Sequence, residues 1–402
     1  MHKKLIILSG VCLAGFVPAA SFAQAAAGGG KQLNINVSAE VRHDSNIART
    51  TAATAAQRGL SRSDEKFSPS LNVNLGLPFA AHNFSLSGGV GYDFHRRNTR
   101  LDRERIQLGS ALALSLSPCT PSFNGQISRR QSDLGDSGGT TAIGANTVSN
   151  AETQWSLGGS VACGKSFGLR PTAGITYQDS SNSNPQRELT NKHITTYMLG
   201  MGYLHPSIGD IQLFAQQREV DYVKQLQPNG NRQRSYGVSF SRNIGARLQG
   251  SASISWSDVK SRQPGVRGYH GVNWSGDLTL KATPRLQVHT VLGRSISSTL
   301  AVAANYNVAT NYGIDATYAL TPRINFSTGY SHTKRKFQGS FDPLAINVLT
   351  NDRKQSIFGS IDYLFSPKLK FILSGGHDVR NANGTFYDYH NNQIGLRAEL
   401  AL

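Results

Sequence analysis

The chain has 402 residues; 41 are Lys or Arg and 24 are Asp or Glu, giving a formal net charge of +17. No stretch beyond the N-terminal region approaches the ~20 consecutive apolar residues of a membrane-crossing helix, which excludes a helical-bundle membrane protein. A mean hydropathy of −0.33 leaves a β-barrel open, because barrel strands need only ~10-residue alternating segments with a weak hydropathy signal.

Met1-His2-Lys3-Lys4 precedes an apolar run from Leu5 to Val17, and Pro18-Ala19-Ala20-Ser21-Phe22-Ala23 follows. A basic start, a short apolar core and small residues before a cut predict a secretion signal over residues 1–23, cleaved after Ala23. Val11 is not the small residue that a lipoprotein places before Cys12, so Cys12 is read as removed with the signal. Cleavage removes Lys3 and Lys4 and no acid, leaving 39 basic and 24 acidic residues and a net charge of +15. A basic balance of this size can signal nucleic acid. An exported chain has no cytoplasmic partner, so no nucleic acid is expected. The remaining anionic candidates are lipopolysaccharide phosphates and acidic polysaccharides.

Residues 24–31 form a short Gly-rich lead, and alternation begins at once after it. Leu33, Ile35, Val37, Ala39 and Val41 point one way; Asn34, Asn36, Ser38 and Glu40 point the other. The same period returns at 71–77, 84–94, 106–116, 123–127, 155–161, 169–177, 197–203, 211–215 and 236–240. It continues at 248–256, 272–280, 286–292, 308–318, 324–330, 357–363 and 369–375. The last strand places Ile394, Leu396, Ala398, Leu400 and Leu402 on one face and Gln393, Arg397 and Glu399 on the other, making eighteen strands. A helical period is nowhere comparably strong.

The connections alternate in length. Short ones lie near 78–83, 117–121, 163–166, 205–209, 242–245, 283–284, 321–322 and 366–367. Three share one form: Thr283-Pro284-Arg285-Leu286, Thr321-Pro322-Arg323-Ile324 and Ser366-Pro367-Lys368-Leu369. Proline fixes φ and holds its predecessor extended, so these are tight hairpin turns. Long polar connections lie at 43–64, 97–102, 133–150, 180–189, 223–230, 259–266, 298–304, 337–351 and 381–388. Short turns at one rim and long loops at the other predict an all-β fold over residues 32–402. The expected fold is a closed antiparallel up-and-down transmembrane β-barrel with short periplasmic turns and long extracellular loops, in a bacterial outer membrane. A soluble sandwich also alternates, but its connections do not segregate this way. Ile394, Leu396, Leu400 and Leu402 resemble the C-terminal assembly strand of such barrels, with Leu where Phe is commonest at the end. Tyr92, Phe94, Trp155, Tyr177, Trp256, Trp274, Tyr312 and Tyr330 near the loops suit one interfacial aromatic belt. Tyr203, Phe240, Tyr318 and Tyr363 near the turns suit a second.

Cys119 opens the fifth strand and Cys163 closes the sixth, so both fall at the turn rim of neighbouring strands. A disulfide suits that geometry and an oxidising periplasm; a redox or metal pair lacks a third ligand. The inward positions are mostly small and polar, among them Ser85, Ser87, Asn124, Ser251, Ser253, Ser255, Asn273 and Ser275. Such an interior holds water or a polar solute. Basic residues gather near the loop rim, and Arg96, Arg97, Arg103, Arg105, Lys334 and Arg335 are the candidate channel mouth. Either they attract anions into the bore or they pair with lipopolysaccharide phosphates outside it.

The stretch Val37 to Ile47, with Asp44-Ser45-Asn46-Ile47, resembles the opening strand of the putative beta-barrel porin-2 family. Ser68-Pro69-Ser70-Leu71 and Tyr92-Asp93-Phe94 are similar to that family's next two strands, and His43 stands where Tyr is commoner. The resemblance implies an outer-membrane channel associated with exopolysaccharide export, with no catalytic residues. Expected partners are outer-membrane lipid, lipopolysaccharide, the barrel-assembly machinery, acidic polysaccharide and periplasmic export proteins. No cofactor is expected. Two other readings compete: a structural or adhesive barrel without transport, and a barrel hydrolase. His43-Asp44 and His377-Asp378 are neighbours in strands and so face opposite ways, which forbids a dyad within either pair. No Gly-x-Ser-x-Gly elbow is present.

Overall fold

The computed structural model describes residues 30–136, 148–165, 167–225, 228–298, 304–340 and 349–402. The expected signal segment, residues 1–23, lies outside the described residues, as do 24–29 of the Gly-rich lead. Alternating segments become strands because each can satisfy its backbone only through neighbours while presenting two chemically different faces. The first six are β1 (Gln32–Asp44), β2 (Asp64–Phe79), β3 (His82–His95), β4 (Arg103–Ala113), β5 (Cys119–Gln131) and β6 (Ala151–Cys163). The next six are β7 (Gly168–Asn182), β8 (Lys192–His205), β9 (Gly209–Tyr222), β10 (Asn231–Ile244), β11 (Leu248–Ser261) and β12 (Tyr269–Lys281). The last six are β13 (Leu286–Ser298), β14 (Ala304–Thr321), β15 (Ile324–Ser340), β16 (Asn351–Leu364), β17 (Leu369–Ala382) and β18 (Tyr389–Ala401). One short helix, α1 (Ala52–Gln57), sits in the first long loop.

Each strand pairs antiparallel with its sequence neighbours, and β18 pairs with β1, so the 18-stranded sheet closes on itself. At the seam Val37 lies opposite Leu400 and Val41 opposite Leu396, and the Leu402 N–H donates to the Ile35 carbonyl at 3.0 Å. Closure leaves no strand edge unpaired, which is the condition for a sheet to stand in hydrocarbon.

Register sorts the faces. Val37 pairs with Leu71 on one side and Leu400 on the other, and these apolar rows continue round the outside of the ring, exposed. The outward rings of Trp155 and Tyr177 stand 5.3 Å apart and those of Trp274 and Tyr312 6.2 Å apart, near the loop rim. The opposite face joins hydroxyls across strands, with Ser122–Ser160, Ser235–Ser257 and Ser253–Ser275 each 2.7 Å apart. Glycine is required at Gly88, where φ is 137° and an added Cβ would lie 2.0 Å from the Gln107 carbonyl oxygen of β4.

The repeated turns have a shared mechanism. The Thr283 hydroxyl accepts from the backbone N–H of Arg285 at 3.2 Å and of Leu286 at 2.9 Å. Thr321 accepts in the same way from Arg323 and Ile324, and Ser366 from Lys368 and Leu369. The hydroxyl satisfies donors that the proline ring cannot, and the chain reverses in two residues. At the same rim Cys119 and Cys163 face each other in register, joined through their sulfurs with Cα atoms 3.9 Å apart.

Candidate functional site

The inward face at the loop rim is where chain, charge and space meet. After β5 the chain turns in rather than out. The Asp133 carboxylate accepts from the Gly135 N–H at 2.8 Å, and the turn presents Asp136 to the far wall. That wall is β15 to β17, and β17 lies six strands from β5 by the shorter way round the ring. The Asp136 carboxylate takes Arg335 of β15 in a two-pronged contact at 2.9 and 3.0 Å, Arg380 of β17 at 3.0 Å and Lys354 of β16 at 3.7 Å. Arg380 also donates to the Gly135 carbonyl at 2.5 Å.

A second acid, Asp352 of β16, is buried beneath this contact. It accepts from Arg335 at 2.9 Å and lies 2.7 Å from Arg380, so two arginines share two carboxylates. The Arg335 guanidinium lies 4.9 Å over the Phe337 ring, and that of Arg380 lies 5.2 Å over Tyr387. Burial opposes the charge on Asp136, but Lys354, Arg335 and Arg380 outweigh it and hold the carboxyl well below its ordinary value. The group is therefore an anion at neutral pH, and the contact is a charged latch.

The loop between β1 and β2 folds over the same sector. Ala48, Ala55, Leu60, Leu101, Leu134 and Val148 form one apolar cluster, against which Ile47 packs. Arg58, after α1, donates to the Leu134 carbonyl at 3.0 Å and lies 5.6 Å over Phe386 of the last loop. Burial, with Arg187 nearby, pushes its pKa down to about 10. Four loops thus meet inside the rim and occupy part of the bore.

The Asp44-Ser45-Asn46-Ile47 stretch is the hinge of this inward turn. Asp44 accepts from Arg49 at 3.2 Å, and Arg49 reaches on to Asp378 of β17 at 2.9 Å. The Asn46 backbone N–H donates to the Asn391 side chain at 2.8 Å, and its side-chain amide donates to the carbonyls of Thr50 and His390 at 3.0 and 3.1 Å. The Ser45 hydroxyl accepts from the Asn392 N–H at 2.7 Å. Ile47 enters the apolar cluster. Ser45 and Asn46 therefore pin the end of β1 to β18, while Asp44 ties it through Arg49 to β17 and Ile47 anchors the apolar cluster.

The basic residues singled out from sequence divide by register. Arg103 and Arg105 lie on the inward face: Arg103 donates to Gln131 at 3.3 Å and also contacts Ser149, and Arg105 stands 3.6 Å from Asp93. Arg335 is inward and engaged in the latch. Arg96 is exposed on the outward side beside Glu65 at 3.6 Å. Lys334 follows the register of Tyr330, which faces lipid. Arg97 stays at the rim, donating to the Ser63 hydroxyl at 3.0 Å. The six do not form one ring at the mouth. Asp136, Asp352 and Arg380, which sequence reasoning did not single out, join Arg335 and the rim cation Lys354 in a contact across the rim, and Arg49, also not singled out, holds Asp44 and Asp378 beside it. Neither His-Asp pair makes a dyad: His43 contacts Glu65 while Asp44 holds Arg49, and His377 contacts Asn392 while Asp378 holds Arg49 and Ser356.

The family model described as putative beta-barrel porin 2 matches residues 29–402. The chain belongs to that family. It is a porin-like β-barrel, and membership places it with outer-membrane barrels. No curated protein shows significant similarity to it. Among solved structures it is similar to a BenF-like porin from Pseudomonas fluorescens Pf-5, with a TM-score of 0.50 and 13% identity over 92% of this chain and 99% of that one. OccK2 (OpdF) of Pseudomonas aeruginosa matches with a TM-score of 0.48 and 12% identity over 92% of this chain and 98% of that one. At such identities the BenF-like likeness speaks for the fold alone.

Proposed function

We propose that this barrel is a passive aqueous channel of the outer membrane for polar solutes, saccharide chains among them. The observation that carries the reading is the inward face itself. A ring of 18 strands has porin width, and its inward registers hold hydroxyls, amides, glycines and ion pairs that only water or a polar solute can fill. The family's tie to a porin fold supports a channel over an enzyme. In this reading the chain is cleaved after Ala23 and inserted by the barrel-assembly machinery through its last strand. Lipopolysaccharide then surrounds it, its phosphates near the outward Arg232, Arg234 and Lys260. Periplasmic export proteins would hand it the saccharide.

Charge refines the reading. Loop-rim cations such as Arg103, Arg105 and Arg335 are held by partners, whereas Arg170, Arg247 and Arg323 at the turn rim have no ion pair among the described residues. On this reading anion attraction belongs to the periplasmic mouth. Planar-bilayer recording tests both parts. The expected result is steady conductance with a weak anion preference that shrinks with salt, as the Debye length falls from ~10 Å at 0.1 M to ~3 Å at 1 M. Replacing Arg247 and Arg323 by Ala lowers the preference; replacing Arg96 and Lys334 leaves it unchanged. A barrel that inserts without conducting is a structural or adhesive one, and cation selectivity overturns the charge assignment.

A further inference from the structure

Among the described residues, the large apolar side chains most exposed along the strands face lipid, with one exception inside a strand. Phe358 of β16 is 40% exposed, yet its neighbours Ile357 and Ile361 take the outward register, so Phe358 points into the bore. Leu364, the last residue of the same strand, is at the turn rim. A ring held in lumen water forgoes the free energy that burial would return.

The surroundings clear space for the ring and add polar groups. Phe358 lies opposite Gly329 on β15 and Gly376 on β17. An added Cβ at Gly329 would come 2.4 Å from Phe358 Cε1 and 3.1 Å from Asp315 Cβ, so ring and carboxylate meet over that glycine. Asp315 Oδ1 is 3.0 Å from His289 Nδ1, and His289 Nε2 is 3.2 Å from Asp277 Oδ2. His289, Asp315, Gly329 and Phe358 are successive cross-strand partners in one inward row. The row offers an apolar ring beside two half-exposed carboxylates, clamped in place by one imidazole.

We propose that this row is a binding subsite for an uncharged pyranose unit. A pyranose has an apolar C–H face, which stacks on the Phe358 ring and removes its area from water. It has hydroxyls at its edge, which donate to the lone pairs that His289 leaves free on Asp315 and Asp277. The two carboxylates repel a uronate. The subsite deepens the channel reading, on which it depends for delivery of the sugar, by naming what the wall holds.

Saturation-transfer NMR on the purified full-length barrel in detergent tests it, with a neutral maltohexaose and an oligogalacturonate of equal length as probes. The wild type is expected to saturate the ring C–H protons of the neutral probe. Phe358→Ala weakens binding about tenfold, Phe358→Trp keeps it, and Gly329→Ala weakens it by displacing a ring that is still present. Heat-modifiable migration shows that each variant is a folded barrel. Equal binding by wild type and Phe358→Ala, no binding of the neutral probe, or tighter binding of the uronate overturns the proposal. Bilayer conductance of the same preparations separates the two readings. A conducting barrel that ignores maltohexaose sinks the subsite alone, and a closed barrel that binds it sinks the channel alone.

Discussion

Removing the charge of Asp136 is the sharpest perturbation of the inward loop. In Asp136→Asn the side chain keeps its shape, but Arg335, Arg380 and Lys354 lose an anion at 2.9 to 3.7 Å. Breaking a buried pair by removing one partner costs about 3–5 kcal/mol. Asp352 remains to hold both arginines, so the lower end, about 3 kcal/mol, applies. That shifts the latched-to-unlatched ratio by roughly a hundredfold. The neighbouring Asp133 contacts Lys354 at 3.5 Å with a half-exposed side chain, and an exposed pair contributes about 0–1 kcal/mol. Asp133→Asn is the matched control. Single-channel recording should show larger and noisier conductance for Asp136→Asn and a near wild-type trace for Asp133→Asn. The pH dependence has a definite sign. The Asp136 carboxyl titrates well below its ordinary value, so the latch energy is complete above about pH 4 and is lost only as pH falls through that lowered value. Wild-type conductance should be flat from neutral pH to mild acid and rise only in strong acid. An Asp136→Asn channel indistinguishable from wild type, or a wild-type transition near pH 6, would refute the latch.

Two further outcomes follow from the seam and the turn rim. Deleting Leu400 to Leu402 removes the pairings of Leu400 with Val37 and Leu369 and the Leu402 bond to Ile35; the truncated chain should fail to reach the outer membrane as a heat-modifiable band, and normal levels of such a band would count against ring closure by this strand. A non-reduced digest should yield Cys119 and Cys163 peptides as one linked species by mass spectrometry. The double serine variant should lose about 2–4 kcal/mol of stability, whereas free thiols at both positions after alkylation at lysis would rule the bridge out.

The strands were legible because a barrel in lipid has a period-2 requirement on every segment, and β1 to β18 all obey it. The turns were legible because Thr-Pro-Arg and Ser-Pro-Lys can do little else in two residues. The cysteines were legible because an up-and-down order makes β5 and β6 neighbours. The latch was not. Asp136 meets Arg335 across 199 residues of sequence, and a polar loop has no periodicity that records where it lands. One signal was available: Arg335, Lys354 and Arg380 share the inward parity of their strands at the loop rim, and three inward cations there need an acid from elsewhere. The same parity separates Arg103 and Arg105 from Lys334, which a grouping by proximity to one rim had merged. Phe358 was also readable as the apolar residue out of step with Ile357 and Ile361.

The latch and the seam are one structure, and that limits how the mouth can open. A closed ring is made at β1–β18, where the two ends of the sheet meet. Arg49 reaches from the first loop across that join, holding Asp44 of β1 and Asp378 of β17, and Asp378 in turn accepts from Ser356 of β16 and Gln393 of β18. Its backbone is held at φ 52°, a conformation that a non-glycine residue adopts at a cost and keeps only under surrounding constraint. The first loop therefore cannot swing away without unpinning the seam. Among the described residues, the turn at residues 133–136 makes no bond to the seam: it meets the far wall through the Asp136 and Asp133 carboxylates and the Gly135 carbonyl, and its Leu134 packs with the first loop. Loss of the Asp136 contact leaves the β1–β18 ladder intact, whereas opening by the first loop would loosen β1 from β18. A channel built this way has a fixed ledge at the seam, with the turn that carries Asp136 held to the far wall by charge.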